Sequence, residues 1–216
     1  MQAYQREFVD LALDLGALKF GDFTLKSGRQ SPYFFNAGQL SSGRAAAMLA
    51  RCYANVIHEH YQDYDVIFGP AYKGIPLAAL TAAALYDQHG VDVPYAFNRK
   101  EAKQHGEGGN IVGAALSGKV VIVDDVITAG TAIRESVEMI RAAGASVGGI
   151  VISIDRQERG QGALSAVQEV EHATGVNVAA IATLADLVTL LSQESEHTAH
   201  LAAVREYQRR YSIASE

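Results

Sequence analysis

The opening residues repeat apolar positions with a helical rhythm. Over residues 3 to 15, Phe8, Leu11, Ala12 and Leu15 fall on one face, because side chains three and four apart meet at about 3.6 residues per turn. An amphipathic helix is predicted there. The stretch "FTLKSGRQSPYFFNAG" changes the rhythm to two short β-rich runs around Ser-Gly and Ser-Pro, which predicts an antiparallel hairpin outside the main pattern. From Ser42 the elements alternate: helix (42 to 61), strand "DVIFG", helix (74 to 88), strand "PYAFNR", glycine-rich loop (100 to 118) and strand "KVVIVDD". They continue as helix (130 to 143), strand "VGGIVISID", helix (162 to 173), strand "VNVAAIATL" and two closing helices. Strands separated by helices imply right-handed crossovers and a parallel sheet covered on both faces, which explains why these strands are apolar throughout. The predicted fold class is α/β, a parallel central sheet flanked by helices with a small N-terminal hairpin hood over residues 17 to 40. A chain of 216 residues without repeats or low-complexity linkers is read as one domain.

Ligands of such sheets sit beyond the carboxyl ends of the strands, so the chemistry of each strand end matters. In "VVIVDDVITAGTA" the strand ends on Asp124 and Asp125, and Thr128, Ala129, Gly130 and Thr131 lead into a helix. Small residues let backbone N–H groups converge on an anion, and the helix N-terminus adds its partial positive charge. Paired carboxylates accept hydrogen bonds from a sugar diol. A phosphorylated ribose fits both halves. In the plainer alternative the pair caps the helix and Gly130 relieves crowding. A phosphoacceptor pocket also uses acidic strand ends, but it spreads its carboxylates over separate strands and has no use for a phosphate-cradling turn. As strand-end groups the two carboxylates are expected outside the core, so that Asn at both positions keeps the fold.

Three further segments carry candidate chemistry. "VIFGPAYKGIP" puts Tyr72 and Lys73 in a Gly-rich turn before a helix, a setting that alone reads as ordinary punctuation. In "NRKEAKQHGEGGNIVGAALSG", Arg99, Lys100, Lys103 and His105 crowd together ahead of Gly106, Gly108, Gly109, Gly113 and Gly118. Loops beyond about 12 to 15 residues are uncommon inside compact domains and often act as lids, so residues 100 to 118 are predicted to be a mobile basic arm. "ISIDRQERG" presents Arg156, a planar fork of donors suited to a carboxylate or a base edge, or else to a surface ion pair. The hairpin adds Lys26 and the adjacent Phe34 and Phe35, whose rings face opposite ways so that at most one stacks on a ligand.

Composition narrows the classes. A net charge of −6 argues against broad binding to nucleic acid or an anionic membrane surface, so any anion must be caught locally. No run of about 18 apolar residues suggests a membrane span, and the acidic, amphipathic start is unlike a basic leader; a cytoplasmic protein is expected. The single cysteine, Cys52, excludes an intrachain disulfide and sits in a helical, apolar context. His58 and His60 lie two apart on a helix and do not face each other, so no protein-made metal site is read.

Together "FGPAYKG", "NRKEAKQHGEGG", "VVIVDDVITAGTA" and "ISIDRQERG" resemble the orotate phosphoribosyltransferase family, in order and over nearly the whole chain. The aspartate-pair motif alone points to the wider phosphoribosyltransferase fold; the basic arm and the Lys26 hairpin point to the orotate branch. No motif position departs from the family. The resemblance implies transfer of ribose 5-phosphate from phosphoribosyl diphosphate (PRPP) to N1 of orotate. It implies that Asp124 and Asp125 hold the ribose hydroxyls and that Val126, Ile127, Thr128, Ala129, Gly130, Thr131 and Ala132 hold the 5′-phosphate. Tyr72, Lys73, Arg99, Lys100, Lys103 and His105 would bind pyrophosphate, with Lys103 assisting the leaving group, while Lys26, Phe34, Phe35, Thr128 and Arg156 surround orotate. Lys26 is also placed within reach of PRPP. Magnesium bound chiefly through PRPP and a homodimer with shared active sites are implied as well. For the amides of "PAYKG" to turn toward pyrophosphate, an unusual backbone near Ala71 and Tyr72 is expected, such as the non-proline cis bond of related enzymes. A purine-base transferase and a PRPP-sensing regulator are the competing functions.

Overall fold

The computed structural model describes residues 1–25, 28–103, 109–160, 162–193 and 198–213. Helix α1 (Ala3–Asp14) turns Phe8, Val9, Leu11 and Ala12 inward, while Leu15 falls at its C-cap and is exposed. The hood follows as an antiparallel pair, β1 (Leu18–Thr24) and β2 (Gln30–Phe35), running from Leu18 opposite Phe35 to Thr24 opposite Gln30 with a one-residue register shift between Phe20 and Phe23. Helix α2 (Gly43–His60) starts where the Ser42 side chain accepts from the Ala45 N–H at 3.1 Å, satisfying one of the free donors of the first turn. Cys52 lies buried on this helix, and burial pushes its thiol up to about 12, as befits a small hydrophobe rather than a nucleophile.

The remaining elements are β3 (Val66–Gly69), α3 (Gly74–His89), β4 (Tyr95–Lys103), β5 (Gly109–Gly113), β6 (Lys119–Asp124) and α4 (Thr131–Ala142). They are followed by β7 (Ser146–Asp155), α5 (Ala166–Thr174), β8 (Val178–Thr183), α6 (Leu184–Gln193) and α7 (Thr198–Tyr211). Six strands form one sheet in the order β5-β4-β3-β6-β7-β8. Every pairing from β4 to β8 is parallel, as alternating helices require, and β5 alone runs antiparallel at the edge. The strand alternation feeds two cores. Ile67, Val121 and Val123 face the core built with α1, α2, α3 and the C-terminal helices, whereas Val66, Phe68, Val120 and Ile122 face Ile133, Val137 and Ile140 of α4 and Val167 and Val170 of α5.

The segment from 100 to 118 differs from the expected loop. Strand β4 continues to Lys103, and β5 returns beside it with Phe97 opposite Val112 and Asn98 opposite Ile111. Glycine at both ends of "GNIVG" hides the strand in the sequence, and the ladder to β4 supplies the order that side-chain pattern does not. Residues 104 to 108, the centre of the predicted mobile arm, lie outside the described residues. Among the described residues no helix is long and apolar enough to cross a membrane.

Candidate active site

The carboxyl ends of β3, β6 and β7 and the hood hairpin enclose a cleft of about 1280 Å³. On its floor β6 ends in Asp124 and Asp125, which are only 9% and 8% exposed. They are therefore buried, contrary to the expectation for strand-end groups. The reason is their support: the fully buried Tyr53 of α2 donates to the Asp124 carbonyl at 2.7 Å, and Ser153 of β7 donates through Oγ to the Asp125 carbonyl at 2.5 Å. Burial pushes the Asp124 carboxyl up to about 6, and the neighbouring Asp125 charge adds to this, while the Asp125 N–H donated to Asp124 Oδ1 at 2.9 Å and the Lys73 charge oppose it.

The pair does not cap the helix beyond it. Helix α4 is capped by Gly130, with no side chain accepting its first N–H groups. Those donors stay available to an anion, and Thr128, Ala129, Thr131 and Ala132 border the cleft around them. Gly130 has φ 68°, and a Cβ there would stand 2.5 Å from Val170 Cγ2, so this turn accepts no larger residue without displacement. Arg134, one turn into α4, donates back to the Ala129 carbonyl and brings a positive charge to the same loop.

At the end of β3 the chain doubles back so closely that a Cβ on Gly69 would lie 1.9 Å from the Gly74 carbonyl oxygen. Within this turn the Ala71–Tyr72 peptide bond is cis, the geometry expected there. The Ala71 N–H donates to Asn98 Oδ1 at 2.8 Å, and Lys100 Nζ stands 4.9 Å over the Tyr72 ring. Asn98 and Lys100, two apart on β4, thus share the side facing the turn, and alternation sends Arg99 to the other. Lys73 Nζ is paired with the Asp125 carboxylate. Tyr72, Lys73, Asp124, Asp125, Val126, Ile127 and Thr128 line the cleft; Arg99 and Lys100 do not. Lys26 and His105 lie outside the described residues, and Lys103 is described only as the last residue of β4.

The far wall is the hood and the loop after β7. Phe35 packs against Phe8 at 5.9 Å in the core, while Phe34 is exposed and tilted against Phe23 at 5.6 Å, so the adjacent rings do face apart. Arg156 is neither free nor in a surface pair. It is held to Glu158, with Nε to Oε1 at 2.7 Å, in a setting where both side chains are largely buried. Burial works to lower the pKa of its guanidinium, but Tyr33 and Glu158 outweigh this and raise it. Arg29 and Asn98 escaped the sequence reading because each is placed by contacts distant in the chain, and Arg134 and Glu158 escaped it although each has a partner within five residues. For Glu158 the quoted "DRQERG" already held the opposite charge two residues from Arg156.

A phosphoribosyl transferase domain matches residues 36–178. Over 213 residues, covering 99% of this chain and 100% of the relative, the sequence is 59% identical to an orotate phosphoribosyltransferase of Cronobacter sakazakii. It is also 59% identical, with the same coverage, to one of Vibrio cholerae. The crystal structure of orotate phosphoribosyltransferase from Francisella tularensis superposes with a TM-score of 0.86 at 40% identity, covering 95% of this chain and 99% of that one. With this identity over nearly its whole length, and with the small-residue turn after β6, the carboxylate pair and the hood hairpin in place, the chain belongs to the orotate phosphoribosyltransferase family.

Proposed function

We propose that this protein transfers ribose 5-phosphate from PRPP to N1 of orotate, giving orotidine 5′-monophosphate and pyrophosphate for pyrimidine synthesis in the cytoplasm. The observation that carries this reading is the meeting, in one cleft, of a free helix N-terminus, a buried carboxylate pair and a fixed guanidinium. The turn from Val126 to Ala132 takes the 5′-phosphate. Asp124 and Asp125 accept hydrogen bonds from the ribose hydroxyls. Arg156, Lys26, Thr128 and the Phe34 and Phe35 backbone surround orotate, and Tyr72, Lys73, Arg99, Lys100, Lys103 and His105 serve the diphosphate. The Lys73–Asp125 pair supports an exchange of partners: as the diol donates to Asp125, Lys73 is released toward the diphosphate.

Departure of pyrophosphate leaves positive charge on the ribose ring and negative charge on the leaving oxygens. Carboxylates beside the sugar and cations beside the diphosphate stabilise both, with no covalent nucleophile. Each well-placed donor in a closed site is worth about 3 to 4 kcal/mol of transition-state stabilisation. Magnesium is part of the proposal: arriving with PRPP, it would lower the charge on the leaving group. A homodimer with shared sites is part of the proposal.

PRPP consumption measured side by side with orotate, uracil, adenine and hypoxanthine tests the reading. Orotate should be the substrate. Uracil lacks the carboxylate, leaves Arg156 unpaired and should be slower by roughly 10⁴ in kcat/KM. Comparable turnover of uracil or of either purine base overturns it.

A further inference from the structure

The Glu158 carboxylate joins segments from both ends of the chain. Its Oε1 accepts from Arg156 Nε and from the Tyr207 hydroxyl, each at 2.7 Å, and lies 2.6 Å from Arg156 Nη2; its Oε2 is 3.5 Å from Arg29 Nη1. Arg156 Nη2 donates also to Ser31 Oγ of the hood at 3.2 Å, and the guanidinium carbon stands 4.5 Å over the buried Tyr33 ring. Tyr207 of α7 meets that ring edge-on at 5.9 Å, and the following turn is tied to the same loop, with Glu158 bridged to Ser212 and the Arg159 N–H donating to the Tyr211 carbonyl at 2.9 Å. Two nitrogens of the Arg156 fork are therefore committed to the protein. Among the described residues Nη1 has no hydrogen-bond partner, and Arg156 lines the cleft.

An arginine with a single anchored end samples many rotamers; one clamped at Nε and Nη2 against an aromatic face offers one edge. The cluster sets two guanidiniums, Arg29 and Arg156, against Glu158, with the Asp155 carboxylate close by on the same cleft, so it is the fixed direction of the Arg156 edge rather than a surplus of charge that a ligand meets. We propose that Glu158 and Tyr207 are positioning residues for base selection, holding Arg156 so that one donor edge meets the carboxylate of the base. This rests on the reading that Arg156 receives the orotate carboxylate.

The test uses the full-length enzyme with Glu158→Gln, Tyr207→Phe, the double variant and Arg156→Ala, with KM for orotate and for PRPP measured separately. Arg156→Ala should raise KM for orotate. Glu158→Gln should raise it about tenfold and Tyr207→Phe by about two- to fivefold in the same direction, with KM for PRPP within about twofold. Because both act through one carboxylate, the double variant should be clearly less than additive. The preference for orotate over uracil should fall in parallel. Unchanged orotate KM in folded Tyr207→Phe, or equal rises in both KM values, overturns the positioning role; Tyr207→Phe decides alone if Glu158→Gln does not fold. If Arg156→Ala leaves orotate KM unchanged, the assignment of Arg156 itself falls. A rise with Arg156→Ala and none with the other two sinks only the positioning role.

Discussion

Asp124 sits where stability and chemistry oppose each other. Its carboxyl, ordinarily near 3.8, is raised to about 6 by burial, so the folded state holds the proton more tightly than the unfolded chain. The favourable contribution is fully present below about pH 4 and is lost as pH rises through 6, on the order of 3 kcal/mol for a shift of about two units. Asp124→Asn should therefore melt several degrees higher than the parent at pH 7, with the gain fading toward pH 4, while transfer falls by about 10²-fold or more. Calorimetry across pH 4 to 8, alongside a turnover assay, would show both; no gain at pH 7 would mean that burial does not penalise this carboxylate. Tyr53 tests the support beneath it. Tyr53→Phe removes the donor to the Asp124 carbonyl and should cost about 1 to 3 kcal/mol of stability in denaturant unfolding, since that buried oxygen is left without its partner.

Among the elements, legibility followed burial. Strands β3, β6 and β7 are apolar runs ending at chemistry, and their place in a parallel sheet covered on both faces is written in that pattern, though the order of the strands is not. Edge strand β5 is not, because two glycines bracket a run too short to show alternation. The turn proposed for phosphate was readable from its run of small residues, and the structure gives the steric reason at Gly130, which is required by its own φ and by Val170, a residue of α5. Gly130→Ala should consequently destabilise by about 1 to 3 kcal/mol, from the left-handed backbone and the clash, and should weaken PRPP binding more than orotate binding. A thermal shift with PRPP titrated in measures both; an Ala variant with parental melting and parental PRPP affinity would show that the turn tolerates a side chain. The ties of Glu158 to Arg29 and Tyr207 were not readable, because those partners lie on elements whose approach depends on the whole fold, whereas its pairing with Arg156 spans only two residues.

At the level of the molecule the proposed homodimer predicts complementation. Lys103→Ala damages the basic arm, and Asp124→Asn with Asp125→Asn damages the pocket. If the arm of one copy serves the site of the other, a mixed dimer has one site with every lesion and one with none. Subunit exchange between the two inactive proteins should then recover activity approaching a quarter of the parent, from about half the dimers being mixed and half their sites intact. No recovery under conditions where exchange is verified would place each site within one chain. The cleft itself draws on residues from Thr24 to Glu169, so its assembly depends on long-range contacts.

The Tyr207 hydroxyl on Glu158 gives helix α7 a meaning in time. A polypeptide is made from its amino end, and its early parts begin to fold while the rest is still being synthesised. The phosphate turn and the carboxylate pair leave the ribosome some seventy or more residues before Tyr207 does, counting from Thr131. The supports of the proposed sugar-phosphate site, Ser153 beneath Asp125 and Val170 beside Gly130, are thus also made before the brace proposed for Arg156. On the proposed role of Glu158 and Tyr207, choosiness about the base would be the last property this protein gains as it is born.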